Sequence, residues 1–110
     1  MRPRRRSFDT APVQLTVLVV GVSPTFLERF RLAAAPRRAE IVACDEASFR
    51  TTAAARVPRS IVILADAYAR SSSTYDQVRD ELCARVIPVE REDLQDEEIE
   101  ALVDTAVRWL

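Results

Sequence analysis

The chain has 110 residues and a mass of 12.4 kDa, with 48% hydrophobic residues, 30% charged residues and a formal net charge of −1. At that length the sequence describes one domain with one modest core, burying roughly two-thirds of its unfolded surface. The composition excludes more than it suggests: there is no His, no Lys and no Asn, and Gly21 is the only glycine.

Each absence removes a class of chemistry. Without His there is no Ser-His-Asp triad and no H-E-x-x-H zinc site. Without Lys there is no Walker A loop, Schiff base or Lys general base. A single glycine cannot build the Gly-rich loop that wraps a pyrophosphate. The expectation is a protein that is not an enzyme, with no catalytic residues, no metal and no cofactor.

The small net charge hides an asymmetry. Residues 1–89 hold 14 Arg against 9 acids, and residues 90–110 hold 2 Arg against 8 acids. The chain as a whole lacks the basic excess of a nucleic-acid binder, so nucleic acid is not the expected partner. Cys44 and Cys83 stand far apart and read as buried free thiols. Two Cys with no His do not close a four-ligand zinc site without carboxylates.

In chain order, residues 1–12 read as a flexible arm carrying Arg2, Arg4, Arg5 and Arg6, ahead of one domain over 13–110. Arg5-Arg6-Ser7-Phe8 fits part of an export signal. The apolar run after it holds Gln14, however, and is followed by Glu28, Arg29 and Arg31, whereas a signal peptide keeps its charges ahead of the apolar stretch. The expected location is the cytoplasm. No run approaches the roughly 18 apolar residues of a membrane span.

Val13–Gly21 is a near-continuous β-branched run, the pattern of a strand buried on both faces. Ser23 and Pro24 then supply an N-cap and a first helical residue. Phe26, Leu27, Phe30, Ala33 and Ala34 mark one helix face, and Pro36 stops it. Glu40–Cys44 predicts a short strand, and Asp45 caps a helix over about 46–56 that Pro58 ends. Ser60–Ala65 predicts a second central strand. Asp66–Ser73 reads as a polar loop, and Thr74–Gln77 fits a capping box that opens the next helix, with Tyr75, Val78 and Leu82 as its stripe. Arg85–Val89 is a short strand that Pro88 confines to an edge. Asp96–Trp109 carries the clearest amphipathic pattern, with Ile99, Leu102, Val103, Ala106 and Val107 on one face. Alternating strands and helices imply parallel pairing with crossovers. The expected fold is α/β: a small three-layer sandwich, (βα)4, on a mainly parallel sheet of about four strands.

In such a sheet, ligands meet the carboxyl ends of the strands. Ser23, Asp45 and Asp66 fall on that rim and are the candidate ligand-binding residues, although Ser23 and Asp45 are equally explained as helix caps.

A family resemblance rests on three segments. Val17-Leu-Val-Val-Gly-Val-Ser-Pro-Thr-Phe-Leu27 resembles the opening of a response-regulator receiver domain, which usually reads V-L-V-V-D-D-S-P. Ser60-Ile-Val-Ile-Leu-Ala65 resembles that family's third strand, and Val86-Ile-Pro-Val89 with the acidic helix after it resembles its Lys-Pro corner and last helix. The resemblance implies a receiver-like fold and a bacterial regulatory role. The same alignment empties the family's phosphoryl site. The paired acids that hold Mg²⁺ fall on Gly21 and Val22, the phosphoacceptor on Ala65, and the Lys on Ile87. The stretch from Asp66 to Ile87 is too short for two βα units, so one is missing. The resemblance therefore implies a pseudo-receiver that works by protein–protein recognition. Its expected partner surface is the last helix, with Glu97, Glu100, Asp104 and Trp109. A homodimer through that helix or an edge strand is one form of it. The alternative is a small-ligand or nucleotide sensor using Ser23, Asp45 and Asp66.

Overall fold

A computed structural model describes residues 15–108. The arm at 1–12 lies outside the described residues, and so does Trp109. The described chain runs β1 (Leu15–Val20), α1 (Pro24–Ala34), a 3₁₀ turn (Ala35–Arg37), β2 (Ala39–Cys44), α2 (Phe49–Arg56), β3 (Ser60–Leu64), α3 (Ala65–Arg70), α4 (Ser72–Leu82), β4 (Arg85–Val89) and α5 (Asp96–Val107). The four strands form one all-parallel sheet in the order β2-β1-β3-β4. The three-layer α/β sandwich expected from the sequence is the fold observed.

The period-2 geometry of β1 builds both faces of the core. Val17 and Val19 point to the layer made by α1 and α5, meeting Phe26, Phe30, Ala34, Ile99, Val103 and Ala106. Leu18 and Val20 point to the layer made by α2, α3 and α4, meeting Phe49, Ala53, Ala67, Tyr75 and Val78. Phe26 and Phe30 stack with ring centroids 6.3 Å apart, and each buried Phe contributes on the order of 2–3 kcal/mol.

Three local expectations are corrected. Asp66–Ser73 is not a loop, because α3 follows β3 with no residue between them. Ala65, Ala67 and Ala69 favour helix, Ala67 is buried against the sheet, and the Tyr68 hydroxyl donates to Asp76 Oδ1 at 2.6 Å, tying α3 to α4. The next helix begins at Ser72, and no side chain caps it, so the Thr74–Gln77 motif lies inside the helix and does not open it. Cys83 is exposed rather than buried. It is the left-handed residue, φ +55°, that ends α4, and its N–H follows the helix ladder back to Arg79.

Candidate functional site

The chain leaves β1 for β2 on one side and crosses over to β3 and β4 on the other. The carboxyl ends of β1 and β3 therefore form a switch point, the place where open parallel sheets bind ligands. Gly21 extends the pairing, donating its N–H to the Cys44 carbonyl at 2.8 Å, and turns with φ +68°. That conformation favours glycine there. Ser23 then caps α1, its Oγ accepting the Phe26 N–H at 3.2 Å, with Pro24 in the first turn.

The α1 N-terminus already has an anion. The Ser23 N–H donates to Glu92 Oε2 at 3.0 Å. Glu92 comes from the β4–α5 loop and meets the positive end of the α1 dipole. Sequence reasoning missed Glu92. It lies 69 residues from Ser23, inside an acidic run, and no local pattern marks it.

Asp45 and Asp66 share the rim with Ser23 but do not join it. Asp45 accepts from the Ser48 N–H at 2.8 Å and the Ser48 hydroxyl at 2.7 Å, closing the turn before α2. Those bonds, the hydroxyl first, hold its carboxyl below the usual carboxylate range. Asp66 is exposed in the first turn of α3. Glu46, the residue after Asp45, pairs with Arg70 at the end of α3 at 2.6 Å. No hydrogen bond or ion pair links Ser23, Asp45 and Asp66 to one another. Cys44 ends β2 beneath them, its thiol pushed up to about 11 by burial and then by the Asp45 charge, with the Thr52 side chain pulling the other way. Among the described residues no group of three or more His, Cys, Asp or Glu is placed to hold a metal.

The acidic face of α5 is largely engaged. Arg37, in the turn after α1, bonds both Glu100 and Asp104, and Arg29 bonds Asp96 at 2.9 Å. Glu97 is exposed. Between the two helices lies a groove of about 290 Å³ lined by Arg29, Leu32, Ala33, Asp96, Ile99 and Glu100. Leu32 stands at its lip, 70% exposed.

Both sheet edges are blunted. The Arg85 N–H donates to the Arg59 carbonyl, so alternation turns the backbone polar groups of Arg85, Ile87 and Val89 toward β3 and leaves those of Val86 and Pro88 on the open edge. Proline thus removes a donor from the free edge of β4. At the other edge, Arg31 donates to the Ile41 carbonyl of β2 at 3.1 Å.

At the opposite end of the sheet, a cleft of about 230 Å³ is lined by Leu15, Arg59, Ser60, Cys83, Ala84, Arg85 and Arg108. The Arg85 guanidinium there holds the carbonyls of Thr105 and Arg108. No helix among the described residues is long and apolar enough to cross a membrane.

Comparison with known proteins finds no matching family model, no matching curated protein and no matching solved structure.

Proposed function

We propose that this chain is a non-enzymatic regulatory module of the cytoplasm. On this reading it is a pseudo-receiver that recognises another protein and takes no phosphoryl group. The observation that carries this reading is Glu92 at the α1 N-terminus. The position where a doubly wound fold takes up an anion is filled by the chain's own carboxylate. The residue types agree with it. Gly21, Val22, Ala65 and Ile87 stand where the resemblance would put two acids, a phosphoacceptor and a Lys.

The competing reading is a small-ligand sensor at Ser23, Asp45 and Asp66. It requires a free α1 N-terminus and converging side chains. Ser23 is bonded to Glu92, Asp45 to Ser48, and Asp66 makes no bond toward either.

A thermal-shift screen tests the proposal. Purified protein is melted with Mg²⁺ plus a phosphoryl mimic, with nucleotides, with cyclic dinucleotides and with sugar phosphates. A ligand at about 100 times its Kd adds roughly 2.7 kcal/mol, which raises the Tm of a domain this size by on the order of 10 °C. The expected result is no shift with any of them. A shift of that size would overturn the proposal.

A further inference from the structure

Resting on the recognition reading, we infer that the α1–α5 face docks a second copy of this chain. The two copies would be related by a two-fold axis running parallel to the two helices.

The argument starts from the layout of charge. Asp96, Glu100 and Asp104 follow one another at intervals of four, so α5 presents an acidic stripe. Arg29 and Arg37 form a basic stripe on α1 and the turn after it. Leu32, between the two arginines, is one of two large apolar side chains left exposed among the described residues.

The two helices run side by side in the same direction, each following a strand of the parallel sheet. The ion pairs fix their relative height: Arg29 is level with Asp96, and Arg37 with Glu100 and Asp104. A two-fold axis parallel to the helices preserves height. It lays α1 of one copy over α5 of the other. Each Arg then faces the carboxylates that it already pairs with inside its own chain. The face is complementary to itself in register, which is the requirement for an isologous dimer.

Leu32 supplies the apolar contact. Rotated about the same axis, it points at the partner's groove between Ala33 and Ile99. The existing ion pairs are exposed and individually weak, so sharing them across the interface costs little. A face of only two helices is small, so association is weak and concentration-dependent.

Sedimentation equilibrium from about 1 μM to about 1 mM covers the range in which such a face acts. The wild type is expected to dimerise reversibly. Leu32→Glu buries a charge at the contact and is expected to weaken the dimer at least about tenfold. The side chain is exposed in the single chain, and circular dichroism checks that the fold of the variant is unchanged. Two further variants test the register. One carries Arg29→Asp and Arg37→Asp. The other carries Asp96→Arg, Glu100→Arg and Asp104→Arg. Each alone presents like charges to its own copy and is expected to be monomeric, while an equimolar mixture is expected to form a heterodimer.

A monomeric wild type across the whole range overturns the second copy as occupant. So does a dimer that Leu32→Glu leaves intact, or a mixture of folded charge variants that does not associate. None of these results touches the recognition reading, which fails instead on a ligand-induced thermal shift.

Discussion

The carboxylate of Glu92 accepts the backbone N–H of Ser23 at 3.0 Å, and the Ser23 hydroxyl accepts the N–H of Phe26. One residue thus joins a loop from the end of the sheet to the helix at its beginning. Together the two bonds satisfy two donors at the start of α1, one just ahead of the helix and one among its four unpaired N–H groups. Glu92→Ala is expected to cost about 1 kcal/mol, because a partly exposed charged hydrogen bond falls at the lower end of its range. The Tm should drop by roughly 4–6 °C, and amide exchange should speed up across Glu90–Gln95. An unchanged Tm with unchanged exchange would mean that the loop is held by something else.

Ser60 is a polar side chain inside the core, 2% exposed, and its hydroxyl donates to the Ala106 carbonyl at 2.6 Å. Helix α5 ends at Val107, so that carbonyl has no partner within the helix. Ser60→Ala leaves it buried and unpaired, at a cost of about 1–3 kcal/mol. Chemical denaturation should show the midpoint falling with the slope unchanged, since the surface exposed on unfolding stays the same. A loss below the error of the fit would show that the carbonyl finds water.

The fold was legible where one strong local rule acted alone. The β-branched runs of β1 and β3, the Ser23-Pro24 start of α1 and the Ile99, Val103, Ala106 stripe of α5 each speak through short-range pattern. Reading failed where two local signals competed. Ser71, Ser72 and Ser73 look like a loop, yet Ala67 and Tyr75 bury against the sheet, so that Ser72 and Ser73 fall within α4 and only Ser71 breaks the helix between α3 and α4. The site was legible only as a rim. The backbone positions of Ser23, Asp45 and Asp66 follow from strand order, but the groups that engage the Ser23 N–H and the Asp45 carboxylate, Glu92 and Ser48, do not. Glu92 and the Arg37 bonds to Glu100 and Asp104 span more than 60 residues of sequence, a range at which single-sequence patterns are silent.

The two cysteines should separate cleanly in reactivity. Cys83 is exposed, whereas Cys44 is half-buried with its thiol pushed up to about 11. At pH 8, only about one Cys44 in a thousand is thiolate, so iodoacetamide should label Cys83 first and Cys44 slowly. The shift also links to stability. The folded value lies above the ordinary 9.0, so between those two values the unfolded chain has lost the proton and the folded chain has kept it. The Cys44 contribution is therefore complete below pH 9 and is lost as pH rises toward 11. Cys44→Ser does not ionise in that window, so its Tm should fall less than that of the wild type between pH 9 and pH 11. Parallel curves for the two proteins would refute the linkage.

Val57 ends α2 in the left-handed region, with φ +47° and its N–H bonded to the Ala53 carbonyl at 2.8 Å. A β-branched residue rarely adopts that conformation, which costs an L-residue roughly 1–2 kcal/mol. The side chain returns little for it, being 55% exposed. Val57→Gly removes the steric cost and keeps the backbone bond. Glycine also loosens the unfolded chain, which offsets about 0.4–1 kcal/mol. The net expectation is a stabilisation of up to about 1 kcal/mol and a Tm raised by a few degrees. Arg38 and Cys83 take the same conformation at helix ends without branching at Cβ, so Arg38→Gly should gain less. If Val57→Gly proved destabilising, the valine side chain would be contributing contacts at the end of α2 that outweigh its backbone cost.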